Sequence, residues 1–247
     1  MRLHWKNLIA GASLTATNGD PNYPVSALLD IHLTNVFRFV DLTGGNIDID
    51  LGSAQAVSSV GIIGNLTASA TITLKGNSSV SWTSPPVNET MVAADRNLMH
   101  YFTETSYRYW RIEITDSGNP EGYIEVANIF LGNYLQMPPV APDSSHEDES
   151  MSSRQFSPNG QPFSVVRPQR QRFSFTYPAV SESERQALRG AFAEVGIHTP
   201  VWLVVWENSF DVQEPAYVLF EENFLRWRKN KENGLLWETD LSFVESK

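Results

Sequence analysis

The sequence predicts a mainly β protein: a β-sandwich over residues 1–135, then an α+β unit over residues 161–247 with one helix on an antiparallel sheet. Three observations predict it. Short apolar stretches of period two recur as far as Gly132, separated by turns rich in Gly, Pro and Asn. Residues 136–160 then lose their hydrophobic pattern and turn acidic, Pro-rich and Ser-rich. Beyond them a single capped helix, 181–196, stands among strands.

Taken in order, Leu8–Thr17 starts apolar and drifts polar, and Asn18-Gly19-Asp20-Pro21 is a turn. Tyr23-Pro24 precedes Val25–Leu29, a short apolar helical turn. Phe37, Phe39 and Val40 lead to the turn Thr43-Gly44-Gly45-Asn46. Ile47, Ile49 and Leu51 then alternate with Asp48 and Asp50, which fits a half-buried strand. Val57–Ile63, Ala70–Leu74 and Leu98–Phe102 are expected as further strands, with a loop at Trp82-Thr83-Ser84-Pro85-Pro86. In Tyr107–Thr115, Trp110, Ile112 and Ile114 face one way while Tyr109, Arg111 and Glu113 face the other. The turn formers Asp116–Pro120 follow. The next strand, Tyr123–Leu131, sets Ile124, Val126 and Asn128 against Glu125, Ala127 and Ile129, and Gly132 closes it.

Residues 136–160 bury too little apolar surface to offset the entropy of ordering and are expected as an extended acidic linker. His146 beside Glu147, Asp148 and Glu149 is read there as solvated, not as a metal site. The strands Phe163–Val166 and Arg172–Tyr177 open the last unit, the second with Phe173, Phe175 and Tyr177 on one face. Ser181 and Glu184 form a capping box, Leu188, Ala191, Phe192 and Val195 make a helical stripe, and Gly196 is the stop. Val201–Trp206 is a continuous apolar strand, and Asn208–Pro215 is a loop. Ala216–Arg228 is expected as one long strand, which Lys229–Gly234 turns back into Leu235–Val244.

Composition excludes several function classes. There is no cysteine among 247 residues, hence no disulfide and no thiolate metal site, which fits assembly in a reducing cytosol. No run approaches the roughly 20 apolar residues of a membrane helix, and Met1–Leu14 is a poor signal peptide, so no membrane insertion is expected. Net charge is −10, with 7 basic against 12 acidic residues in 1–135, none against 4 in 136–151, and 11 against 12 in 152–247. That argues against nucleic acid as a specific ligand. The basic clusters Arg167/Arg170/Arg172 and Arg226/Arg228/Lys229/Lys231 read as a solvated strand face and a hairpin turn.

The succession YPVSALLD (23–30), DIDLG (48–52), SSVGIIG (58–64), ATITLKGNSSVSW (70–82), YRYWRIEITD (107–116) and YIEVANIFLG (123–132) resembles a discoidin or galactose-binding-like domain, the jelly roll of coagulation-factor type C, over roughly residues 8–133. Phe37 stands where that family usually has a Trp after the short helix. The resemblance implies a sugar or lipid head-group site on loops at one end of the sandwich. Its candidate ligands here are Tyr23, His32, Asn35, Arg38 and Trp82, with Asn88 and Asp116 on the same loops. Trp82 or Tyr23 would stack on a sugar face while His32, Asn35 and Arg38 bond its hydroxyls.

The stretches RFSFTYP (172–178) and SESERQALRGAFAEVG (181–196), with the final hairpin, resemble tube-like and distal-tail modules of long-tailed bacteriophages. That implies a structural virion protein of a tail tip or baseplate, assembled in the bacterial host cytoplasm. Its partners would be itself in a ring, other tail proteins, and a host surface glycan. The alternative is a non-catalytic carbohydrate-binding protein. No catalytic constellation, cofactor motif or metal motif is present in the sequence, and no enzyme is expected. Asp48 and Asp50 share a strand face at roughly 6.5–7 Å spacing, within reach of a glycosidase pair, but read as a solvent-facing strand.

Overall fold

A computed structural model describes residues 1–93, 97–205, 211–213, 215–230 and 234–246. In chain order they form β1 (Arg2–His4), a 3-10 turn (Leu8–Gly11), β2 (Ser13–Ala16), a second 3-10 turn (Val25–Leu29), β3 (Phe37–Arg38) and β4 (Gly45–Gly64). Next come β5 (Thr71–Asn77), β6 (Val87–Met91), β7 (Asn97–Thr115), β8 (Glu125–Gly132) and β9 (Leu135–Gln136). The remainder is β10 (Ser145–Ser150), β11 (Ser153–Phe156), β12 (Pro162–Val165), β13 (Gln169–Val180), α1 (Glu182–Val195), β14 (Val201–Val204), β15 (Asp211–Gln213), β16 (Ala216–Phe220), β17 (Arg228–Lys229) and β18 (Trp237–Glu245). The protein is mainly β with one α-helix among the described residues, as the pattern predicts. That helix is too short to cross a membrane.

The chain divides into two compact units, Met1–Leu135 with Trp202–Ala216, and Gln136–Val201 with Tyr217–Lys247. In the first, four expected strands are in fact two long ones. Both Ile47–Leu51 and Val57–Ile63 belong to β4, and both Leu98–Phe102 and Tyr107–Thr115 belong to β7. Their mutual register jumps from Asp50↔Tyr109 to Gln55↔Tyr107, with Gly52 at φ +75° in the extra loop of backbone. Such a bulge bends a strand, so β4 and β7 pass from one set of neighbours to another. Their first pairing gives the order β2-β4-β7-β5-β6, and their second gives β3-β8-β4-β7-β15.

The two sets enclose the core. Ile47, Ile49, Trp110 and Ile112 from the first meet Phe37, Ile62, Val126 and Leu131 from the second, all buried. Gly76 is what lets Trp110 lie flat there: a Cβ at 76 would stand 2.8 Å from its ring. The expected alternation of Tyr123–Leu131 fails after Val126. Ile63 pairs with Asn128 but Gly64 pairs with Val126, so Ala127 is an extra residue and the faces swap. Ile129 therefore joins the core, opposite to the predicted phase.

Asn128 turns to the outer face of the second set, where β1 and β14 lie. These pair antiparallel, Arg2↔Val204 to His4↔Trp202. Leu3, His4 and Trp202 are buried against Met99 and Phe130, and the Trp202 Nε1–H donates to Asn128 Oδ1 at 3.2 Å. The apolar stretch expected from Val201 to Trp206 is thus a buried strand as far as Val204, with Trp206 outside the described residues. The loop expected at 208–215 instead contains β15, whose backbone pairs with β7.

The second unit has the antiparallel order β10-β13-β18-β16, with β17 also on β18. Phe173, Phe175 and Tyr177 are buried on one face, as their spacing predicts. The capping box of α1 is present: Ser181 Oγ accepts from the Glu184 N–H, and the Ser181 N–H donates to Glu184 at 2.7 Å. Leu188, Ala191 and Val195 are buried, and the Phe192 ring stands edge-on to Phe220 at 5.2 Å. The long strand expected over Ala216–Arg228 stops at Phe220; the Glu221 N–H still donates to the Ser242 carbonyl at 3.0 Å, and Glu222 to Phe224 beyond it are exposed and outside any strand. Of the turn expected at 229–234, residues 231–233 lie outside the described residues; the Asn230 N–H donates to the Leu236 carbonyl at 3.0 Å.

The expected linker is paired backbone. β10 lies along β13 from Ser145↔Ser174 to Ser150↔Gln169, and β11 along β12 from Ser153↔Val165 to Phe156↔Pro162. The acidic run finds what composition alone hides: Glu149 pairs with Arg170 at 2.7 Å, which holds its carboxyl below the usual range. His146 stacks flat on Phe173, ring centres 4.7 Å apart.

Candidate functional site

Arg38 is the best-organised charged group on the sandwich end formed by the loops 17–24, 64–70 and 116–124. Its backbone is pinned first: the Arg38 N–H donates to the Tyr23 carbonyl at 3.2 Å, and its carbonyl accepts from Asp20 N–H at 2.9 Å. Register with β8 places Glu125 directly opposite. The guanidinium then donates to Glu125 Oε2 through Nη2 at 2.7 Å and Nε at 3.3 Å. It lies between two rings, 4.0 Å from the centre of Tyr23 and 3.8 Å from that of Tyr123. The Glu125 hydrogen bond raises the Arg38 pKa above its ordinary value, so the charge is permanent.

Asn65 fixes the opposing strand. Its Nδ2 donates to the Tyr123 carbonyl at 3.1 Å and its Oδ1 accepts from the Glu125 N–H at 2.7 Å. Side chains of Arg38 and Glu125 remain 22% and 23% exposed. The result is a cation donor and a carboxylate acceptor side by side, held rigid by two tyrosines. Vicinal hydroxyls match that pair, one accepting from the guanidinium and the next donating to the carboxylate.

The other sequence-derived candidates are spread more widely. His32 and Asn35 form a separate exposed turn about Asp30, whose carboxylate accepts from the His32 N–H and the Asn35 amide. Those bonds hold the Asp30 pKa below its ordinary value. Trp82 belongs to the opposite end of its sheet. Thr71 pairs with Thr115 and Asn77 with Tyr109, so the loop after Asn77 leaves away from Asp116. The Trp82 ring packs over the Arg111 guanidinium at 4.8 Å, and its indole N–H is buried with no acceptor among the described residues. Asn88 is exposed on β6, across from Lys75. Asp116 is buried and ties loops together, accepting from the Thr67 N–H and hydroxyl and from the Asn119 amide.

Tyr123 and Glu125 are the residues that sequence reasoning missed. Their alternation YIE was visible, but only the β3–β8 register brings them to Arg38. The carboxylates Asp48 and Asp50 are each gripped by an arginine fork, Asp48 by Arg111 at 2.6 and 2.7 Å and Asp50 by Arg108 at 2.7 and 2.8 Å. The Arg108 bond lowers the Asp50 pKa to about 2. No cluster of metal-ligating side chains occurs among the described residues.

No family model matches the chain, and no curated protein matches it. Solved structures do. A family 32 carbohydrate-binding module from Clostridium perfringens NanJ in complex with galactose aligns over 55% of this chain and 100% of its own, at 14% identity and TM-score 0.42. The chitosan-binding module 1 of a Paenibacillus sp. IK-5 chitosanase/glucanase aligns over 52% and 99%, at 19% identity and TM-score 0.43. The lectin-binding domain of lectinolysin, complexed with Lewis b, aligns over 55% and 99%, at 13% identity and TM-score 0.44.

Proposed function

We propose that this is a non-catalytic glycan-binding protein whose first unit takes sugar at Arg38 and Glu125. The observation that carries it is the Arg38 guanidinium held between Tyr23 and Tyr123 with Glu125 at 2.7 Å. A pre-ordered donor–acceptor pair gives up little side-chain entropy on binding, which matters for a ligand that offers only hydroxyls. The Tyr23 and Tyr123 edges and phenol groups add apolar contact and further hydrogen bonds. His32 and Asn35 belong to a second turn and would contact only an extended chain of sugars.

Glycan-array screening of the full-length protein, followed by calorimetry on the best ligand, tests this. Arg38→Lys keeps the charge but loses the fork and the flat stack. It is expected to weaken binding at least about tenfold, the cost of one charge-assisted hydrogen bond. Wild-type protein that binds no glycan, or an Arg38→Lys variant that binds as well as wild type, would overturn the reading.

A second reading is that the chain is a tail-tip subunit of a phage virion, with the glycan site turned to the host. What favours it is the solvent-exposed apolar ribbon over residues 151–166, which suits a protein that works in an assembly. Negative-stain microscopy of the purified chain would support it by showing closed rings; dispersed single particles at all concentrations would count against it.

A further inference from the structure

The second unit carries an arm. β10 and β13 form the root of one long hairpin, and it continues past the sheet as β11 and β12 to a turn at Ser157–Gln161. Ser152 Oγ accepts from the Arg167 N–H and donates to its carbonyl, which bridges the two halves. From Ser150 to the turn the ribbon extends about 25 Å at ordinary strand rise. Along it, β11 and β12 pair only with each other among the described residues. Phe156 is 66% exposed, Phe163 61%, Val165 57% and Val166 85%. A strand's side chains alternate, so Phe163 and Val165 take one face while Phe156 and Pro162 take the other, and Val166 follows the strand end. A two-stranded ribbon with both faces apolar and wet is marginal by itself and is completed by a partner.

We propose that the ribbon 151–167 docks on the free edge of β10 in a second copy of this chain. Charge selects that occupant. Residues 151–168 hold Arg154 and Arg167 and no acidic residue, while the chain as a whole is at −10. Two ribbons laid together would set arginines against arginines. β10, by contrast, is the edge strand of its sheet among the described residues, and it presents exposed Glu147 and Asp148 beside an unpaired row of backbone donors and acceptors. A basic, extended ribbon adds to such an edge by strand pairing. Each copy then gives one ribbon and offers one edge. That contact is heterologous, and it closes as a ring or grows as a filament. The proposal stands whether or not the first unit binds sugar.

Light scattering and sedimentation of the full chain over a concentration series test it, with two surface variants. Phe156→Ser with Phe163→Ser disables the ribbon; Glu147→Lys with Asp148→Lys disables the edge. All four side chains are exposed, so the circular dichroism and melting of the body should stay as in wild type. Wild type is expected to assemble beyond a dimer and to dissociate as salt rises. Each variant alone is expected to be monomeric. An equimolar mixture of the two is expected to stop at a dimer, because one copy supplies the only working ribbon and the other the only working edge. A monomeric wild type would overturn the proposal. So would an edge variant that still self-associates, which would mean that ribbons pair with ribbons.

Discussion

His4 shows how much one side chain can depend on where the chain puts it. It is fully buried, its Nδ1 lies 3.3 Å from the Trp202 carbonyl, and its Nε2 lies 3.2 Å from the Tyr101 hydroxyl. A carbonyl only accepts, so Nδ1 carries the proton and Nε2 accepts from Tyr101. Burial lowers its pKa from 6.5 to about 3, with Arg2 adding repulsion. The folded protein therefore refuses a proton that the unfolded chain takes up between those values. Stability from this group is complete above pH 6.5 and falls as pH drops toward 3, by about 1.4 kcal/mol per pH unit. Urea denaturation between pH 7 and about 5, where few carboxylates titrate, should show that slope in wild type. His4→Phe should flatten it, and an unchanged slope would mean that His4 is not buried neutral.

Among the elements, α1 is the one that sequence described almost completely, because its information is local. The cap, the stripe and the Gly196 stop all lie within sixteen residues, and Gly196 has the positive φ of +57° that a glycine stop allows. Ser181→Ala should lower the stability of the second unit by about 1 kcal/mol in thermal or urea unfolding. The cost should exceed that of Ser183→Ala, whose side chain is exposed. Strands were less legible. The phase of β8 flips at Ala127 because of a bulge against β4, and a residue count along one strand cannot reveal the partner's missing residue. The spacer departs from the expected extended linker for a similar reason. Its acidic run is exposed and poor in hydrophobes, yet β13 supplies both backbone partners and arginines from about twenty residues away.

For the whole molecule, the telling feature is that the chain visits the first unit twice. Residues 202–216 return to it after the second unit has begun, and Trp202 completes a layer with Leu3 and His4. Removing Met1–His4 would leave Trp202, Met99 and Phe130 uncovered. The truncated protein should lose several kcal/mol of stability, since burying each large apolar side chain contributes roughly 1.5–3 kcal/mol. A truncated chain with the wild-type urea midpoint would show that this layer contributes nothing.

Near neighbours suffice to specify the mainly β character, the helix with its cap, and the faces of Ile47–Leu51 and Phe173–Tyr177; Arg38 could be named among the candidate loop residues, but its partners could not. Period and turn chemistry act over a few residues, so one strand of text contains them. Long-range pairing is what brings Arg38 to Tyr123 and Glu125 while Trp82 lies at the other end, merges four expected strands into two, and sets Met1–His4 beside Trp202. Those are matters of register between segments up to about two hundred residues apart, fixed by which apolar faces close on one another, and no local pattern encodes that.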